Sequence, residues 1–327
     1  MKWLTILVVF FTWLSTSAVA SQSGSGWSGW LEEVRREALA KGISEPTLSA
    51  ALSNLQPVAK ILERDRTQAE FTMTLPQYLE KVVSDEKANV GREMAEKHAS
   101  LLARIEAKYG VQSRFILAIW GVESWYGRYT GKDPVVSSLA TLAFDRRRST
   151  FFRRQLFASL EMADRGYIEL ENMKGSWAGA MGQPQFIPTS YLAYAVDEDG
   201  DGRRDIWSSK ADIFGSIANY LAQHGWNPDQ TWGRPVQMPG DLREKWDSIA
   251  RKTESPERGL QAWATAGVRR IDGRRLPSPN LPTRLVAPDG ENGLFFATYP
   301  NYRRILRYNP SHLYALAIGT LSDRIQY

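Results

Sequence analysis

The sequence predicts a mainly α protein that carries one small β-containing subdomain. Three observations point there. Apolar residues recur at helical spacing from Trp30 to about Lys108. The same period returns near residues 113, 151, 212 and 311. Between Pro228 and about Tyr299 it gives way to Pro, Gly and short apolar runs. At 327 residues, with 43% hydrophobic and 24% charged side chains, the chain can bury a large core and is globular in composition.

The N-terminus reads as an address. Lys2 precedes an apolar run from Trp3 to Leu14, and small residues lead to Ala18-Val19-Ala20. This is the layout of a secretory signal over residues 1–20, cleaved after Ala20. The run is short for a membrane span, so the mature chain is expected to have no integral span and to be soluble in the periplasm. Residues 21–29 read as a flexible linker. The absence of cysteine excludes disulfides, thiol catalysis and a lipid-modified N-terminal Cys.

Residues 30–110 form a helical domain in this reading. Leu31, Val34, Ala38 and Leu39 share one face, Leu48, Ala51, Leu52 and Leu55 another, and Gly42 and Pro57 punctuate. Leu101, Leu102, Ile105 and Tyr109 continue the period to Gly110, which suits a C-cap. The core region is residues 111–227. Ser113 suits the N-cap of a helix to Gly127, Phe151 to about Leu170 is a second helix, and Asp212 to Gln223, ended by Gly225, is a third. Residues 228–300 form the β-containing subdomain, with some helix near Asp241–Arg251. Residues 301–327 hold a last helix, Ser311 to Ile325, packing back on the core.

Three segments carry chemistry. Ile116, Ile119, Trp120 and Glu123 lie at i, i+3, i+4 and i+7, which puts a carboxylate on an apolar stripe. Burial disfavours the charged form, and a carboxyl that stays protonated is what cleavage of a glycosidic bond needs. A structural carboxylate held by a partner fits the same pattern. The second segment, Lys174 to Tyr191, has three glycines and two prolines. Such a path lets backbone approach a ligand closely; Ser176, Gln185 and Tyr191 there suit sugar hydroxyls and acetamido groups. The third segment, Asp197-Glu198-Asp199-Gly200-Asp201-Gly202-Arg203, fits the first half of a calcium loop. Asp197, Asp199 and Asp201 stand at positions 1, 3 and 5, Gly202 at 6 and the Arg203 carbonyl at 7. Position 12 is Ser208, so Asp212 is expected to close an extended loop spanning 197–212. A structural Ca²⁺ is the expected cation.

Other chemistries fail on spacing. His98, His224 and His312 are too dispersed for zinc. The net charge of +5 suits anionic partners, but there is no long Lys/Arg tract, which argues against nucleic acid.

These segments resemble the B family of lytic murein transglycosylases, over about Trp30 to Ile325. The residues that carry the resemblance are Gly121-Val122-Glu123-Ser124, Ser137 to Leu142, Gly175 to Phe186, Asp199-Gly200-Asp201-Gly202, Arg307-Tyr308-Asn309 and Leu313-Tyr314-Ala315. The resemblance implies a lysozyme-like core, flanked by a helical domain and a small β domain. It implies cleavage between N-acetylmuramic acid and N-acetylglucosamine without water, leaving a 1,6-anhydro end and needing no cofactor. Glu123 would be the acid and then the base, and Ser176 would orient the substrate's acetamido group. Gln185, Tyr191, Tyr220, Tyr308 and Asn309 would line the groove, and Arg147 and Arg148 would meet peptide-stem carboxylates. The expected partners are peptidoglycan strands, with cell-wall synthesis or division proteins as further candidates. The absence of an evident second catalytic carboxylate departs from the usual pair of glycoside hydrolases. A muramidase hydrolysing the same bond and a non-catalytic peptidoglycan-binding scaffold stay open as alternatives.

Overall fold

A computed structural model describes residues 26–67, 73–145 and 148–325. The expected signal over 1–20, the start of the linker and Arg147 lie outside the described residues. Helices come first: α1 (Trp27–Ala40), α2 (Glu45–Leu52), α3 (Ala59–Thr67), α4 (Leu75–Val82), α5 (Asp85–Lys97), α6 (Ala99–Tyr109) and α7 (Ser113–Ser124). Next are β1 (Asp133–Pro134), α8 (Val135–Phe144), α9 (Ser149–Asp164), β2 (Lys174–Gly175), α10 (Pro188–Tyr194) and α11 (Lys210–Gln223). Then follow β3 (Gly233–Gln237), α12 (Gly240–Glu244), α13 (Trp246–Ile249), β4 (Arg258–Gly259), α14 (Leu260–Thr265), β5 (Arg269–Arg270), β6 (Pro282–Val286) and β7 (Phe295–Thr298). The last helices are α15 (Pro300–Tyr308) and α16 (His312–Ile325).

Local sequence explains most ends. Ser44 and Ser84 accept the N–H of Thr47 and Lys87 at the starts of α2 and α5. Gly110 is left-handed after α6, as its sequence position predicts. Two boundaries differ from expectation. α1 begins at Trp27, so the end of the expected linker is helical; Trp27 and Trp30 stack on each other and meet Phe144 edge-on. α9 ends at Asp164, short of Leu170, where Arg165 and Gly166 turn the chain.

The chain forms two compact units. The first holds residues 26–67 and 123–217, the second 73–122 and 218–325, so the helical stretch over 30–110 is shared between them. In the first unit α8 is buried along eight of its ten residues. It lies against α9 and α3, and α9 also carries α2 and α10. Leu139, Leu156 and Leu160 are fully buried there, each worth about 1.5–3 kcal/mol in area removed from water.

In the second unit α16 packs on α4, α5 and α15. Arg114 and the Trp232 indole N–H both reach Asp323 on α16, at 2.5 and 3.0 Å. The subdomain over 228–300 is an antiparallel sheet in the order β4-β6-β7-β3-β5. Its own core centres on Trp246, Trp263, Leu285 and Phe295.

Candidate active site

Glu123 occupies the last turn of α7 and is half-buried. Upstream, Phe115, Ile116, Ile119 and Trp120 are buried. Ser113 donates its N–H and hydroxyl to the Glu106 carboxylate, at 2.8 and 2.7 Å; its hydroxyl is a donor there and not the capping acceptor. Past Glu123 the helix stops sharply. Trp125, Tyr126 and Gly127 take φ values of 55, 58 and 87°. Non-glycine residues rarely sit there, and such strain clusters at functional sites. Ser124 Oγ accepts the Gly127 N–H at 3.1 Å, and Arg128 stacks over the Trp125 ring.

The turn after Glu123 is fastened to the glycine-rich segment within the first unit. β1 and β2 pair antiparallel, Asp133 opposite Gly175. At Gly131 (φ +88°) an added Cβ would fall 2.0 Å from the Gly175 carbonyl oxygen, and at Gly127 it would fall 2.4 Å from Gln183 Oε1. Backbone excludes a side chain at Gly131, and the positive φ disfavours one at Gly127. Gln185 Nε2 donates to the carbonyls of Thr130 and Gly182, at 3.1 and 2.8 Å. These two acceptors fix the amide orientation, and Gln185 Oε1 is buried without a partner among the described residues. Gln185 itself is left-handed, at φ 53°. Ser176, 2% exposed, closes the tip. Its N–H donates to Ala180 O at 2.7 Å, and its Oγ accepts the Ala180 N–H at 3.0 Å.

The acidic loop is bound to the same segment. Asp197, Asp199 and Asp201 bring a carboxylate oxygen each within 4.8 Å of one another. Asp197 also accepts the N–H groups of Gly200 and Gly202, at 2.7 and 2.8 Å, and Asp201 accepts that of Arg203 at 2.8 Å. This all-oxygen, hard donor set fits Ca²⁺. Asp212, the expected closing ligand, lies outside this grouping of three. It is fully buried and accepts the N–H of Glu198 and of Asp205, both at 2.7 Å, so it braces the loop from within. Burial holds its carboxyl above the ordinary carboxylate range, against those two donors. Beyond the loop, the Gln183 N–H donates to Ile206 O at 2.8 Å, and its Nε2 to Trp207 O at 2.6 Å.

Two further expected site residues have partners within the fold. Tyr191 does not line an open surface. It is fully buried, its hydroxyl donates to Arg204 O at 3.0 Å, and burial pushes that hydroxyl's pKa up. Arg148 is ion-paired with the buried Asp65 and lies over the Phe152 ring, so its charge is already matched within the fold. In the second unit Tyr220, Tyr308 and Asn309 come together locally. The Tyr220 hydroxyl donates to Arg307 O at 2.6 Å, and its ring meets Tyr308 at 4.7 Å. Tyr308 stacks on Tyr314, and Asn309 Oδ1 accepts the Ser311 N–H at 3.0 Å, turning the chain into α16. What the sequence did not disclose is the left-handed turn at Trp125 and Tyr126, since neither residue type signals it.

Comparison with known proteins shows the family. A transglycosylase SLT domain matches residues 26–323. Membrane-bound lytic murein transglycosylase B of Escherichia coli is 31% identical over 301 residues, covering 87% of this chain and 79% of that protein. The crystal structure of SltB3 from Pseudomonas aeruginosa in complex with NAG-anhNAM-pentapeptide superposes with a TM-score of 0.87 at 41% identity, covering 93% of this chain and 80% of that one. The Escherichia coli lytic transglycosylase Slt35 in complex with calcium gives 0.76 at 28% identity, covering 90% and 92%. The fold is thus the lysozyme-like one of these enzymes, and the chain belongs to the transglycosylase SLT family, as a lytic transglycosylase.

Proposed function

We propose that the protein cleaves the β-1,4 bond between N-acetylmuramic acid and N-acetylglucosamine in peptidoglycan strands, with Glu123 as its one acid and base. The observation that carries this reading is the joining of the turn after Glu123 to the glycine-rich loop, through Gln185 and Thr130 and through the Gly131–Gly175 approach. Glu123 stands at the carboxyl end of α7, where unpaired carbonyls concentrate partial negative charge and penalise an anion. That setting suits a proton donor.

The Glu123 carboxyl passes its proton to the glycosidic oxygen. The bond from that oxygen to muramic C1 breaks, and N-acetylglucosamine leaves with its 4-hydroxyl restored. The muramic C6 hydroxyl then attacks C1 and returns its proton to Glu123. The product is a 1,6-anhydro end, no water is consumed, and the carboxyl is regenerated. Ser176, whose oxygen already accepts the Ala180 N–H, offers its hydroxyl proton to the substrate's acetamido group. Gln185 Oε1 is a buried acceptor awaiting a donor, and an unmet buried acceptor costs about 1–3 kcal/mol until one arrives. The SltB3 complex with NAG-anhNAM-pentapeptide supports an anhydro product.

Asp197, Asp199 and Asp201, with the Arg203 carbonyl, would hold a Ca²⁺ that stiffens the loop and has no part in the chemistry; the Slt35–calcium complex supports this. The apolar N-terminal run ending in Ala18-Val19-Ala20 supports a periplasmic location. Among the described residues no helix is long and apolar enough to cross a membrane. Mass analysis of muropeptides released from purified sacculi tests the reaction. Products one water lighter than hydrolysis products are expected, and products of hydrolytic mass would make it a muramidase.

A further inference from the structure

One face of α9 is turned away from the α8 contact. Phe152, Leu156 and Leu160 are buried, while Arg153, Arg154, Phe157 and Glu161 recur at i, i+1, i+4 and i+8 and line a cavity of about 720 Å³ within the first unit. Lys41, Asp164 and Arg165 complete its charged wall, and neither Glu123, Ser176 nor Gln185 takes part. The volume is that of a small-ligand site.

The charges along this face are ordered. Arg153 is committed to the fold: it pairs with Glu37 at 2.9 Å and lies over the rings of Trp30 and Phe157, at 5.7 and 5.4 Å. Lys41 caps the same Phe157 ring at 5.3 Å. Arg154 is exposed and makes no ion pair or hydrogen bond among the described residues. Toward the other end of α9 the lining turns acidic. Glu161 pairs with Arg165 at 2.6 Å, an exposed pair that a competing cation can open at little cost. Asp164 accepts the Ser44 N–H at 2.9 Å and the Thr47 hydroxyl at 2.8 Å, and these bonds, with that of the Ser44 hydroxyl, hold its carboxyl below the ordinary range, so it stays an anion. Seven residues of helix separate Arg154 from Glu161, or about 10 Å. About three residues of extended peptide span the same distance.

We propose that this cavity binds a short zwitterionic peptide laid along α9, its carboxylate at Arg154 and its ammonium at Glu161 and Asp164. A free cation and a pair of carboxylates at that spacing match both ends of one ligand, where a simple anion would leave the acidic end unused. The inference does not depend on the role of Glu123.

Calorimetric titration of the full chain with trialanine, N-acetyl-trialanine and trialanine amide tests it. Free trialanine binds, and blocking either end weakens binding about tenfold, the loss of one charge-assisted contact. Arg154→Glu, at an exposed position whose change leaves the far-ultraviolet circular dichroism unaltered, removes binding, and Glu123→Gln binds trialanine as the parent does. Absence of trialanine binding, equal binding of the blocked peptides, unchanged binding by Arg154→Glu, or loss of binding in Glu123→Gln would each overturn the proposal.

Discussion

Gln185 donates its side-chain N–H to the Thr130 carbonyl at 3.1 Å, and so joins the glycine-rich loop to the turn that follows Glu123. Gln185 makes this bond from a left-handed backbone at φ 53°, a conformation that costs a glutamine on the order of 1 kcal/mol or more. The second bond, to Gly182 O at 2.8 Å, helps offset that cost. The same side chain leaves its oxygen unmet in a buried place, where a ligand's donor would complete it.

Gly131→Ala tests the fastening directly. The new Cβ would meet backbone, 2.0 Å from Gly175 O, and backbone cannot swing away as a side chain can. Together with the strain of φ +88°, the expected loss is about 3 kcal/mol, read as a fall in the thermal midpoint, with wall-cleaving activity falling alongside. An unchanged midpoint would show that the two segments are not held as described.

Calcium should stabilise the protein through Asp197, Asp199 and Asp201. At calcium a hundredfold above its dissociation constant, the gain is about 2.7 kcal/mol. Differential scanning calorimetry with calcium and with chelator reads this as a shift in midpoint. Asp199→Ala removes one of the three gathered carboxylates and is expected to abolish the shift.

Tyr191→Phe separates a packing role from a substrate role. The phenol is fully buried and its hydroxyl donates to Arg204 O. Its removal should cost about 1 kcal/mol of stability and leave turnover of sacculi close to that of the parent. A large drop in turnover without a drop in stability would restore Tyr191 to the substrate groove.

His312 makes stability fall in mild acid. Burial first, and then Arg303 nearby, lower its pKa from 6.5 to about 4. Tyr302 faces it, with the hydroxyl 2.9 Å from Nδ1, and Glu254 pairs with Arg303. Below pH 6.5 the unfolded chain takes up a proton that the folded chain refuses, so this contribution is whole above pH 6.5, declines as pH falls and levels off below about pH 4. Between pH 7 and pH 5 the expected loss is about 2 kcal/mol, measured by urea unfolding. His312→Gln should flatten that stretch of the pH profile.

Much of the fold was legible where apolar period and punctuation agreed. α16 was read as Ser311 to Ile325 and runs from His312 to Ile325, and Gly110 and Gly225 are left-handed where their helices end. α8 was not read as a helix, because Val135 to Phe144 is apolar on nearly every side and buried accordingly, which leaves no period to detect. α15 was missed for another reason: Pro300 and Asn309 at its two ends look like loop punctuation, although proline fits the first turn of a helix. At the site, the residue types of Gln185 and Asp212 were informative but their partners were not. Asp212 braces backbone N–H groups and Arg148 neutralises Asp65; both partnerships depend on tertiary approach that spacing along the chain does not encode. The left-handed Trp125 and Tyr126 run against their residue preferences, so only the folded chain reveals them.

The most direct measurement is the release of soluble muropeptides from purified sacculi by Glu123→Gln, in a preparation whose thermal midpoint matches that of the parent. Glutamine keeps the shape of the side chain and has no proton to give. The account predicts release lowered by at least about a hundredfold, the lower end of what a positioned acid contributes. Release at the parent rate, with anhydro ends intact, would contradict it and move the proton transfer to another group.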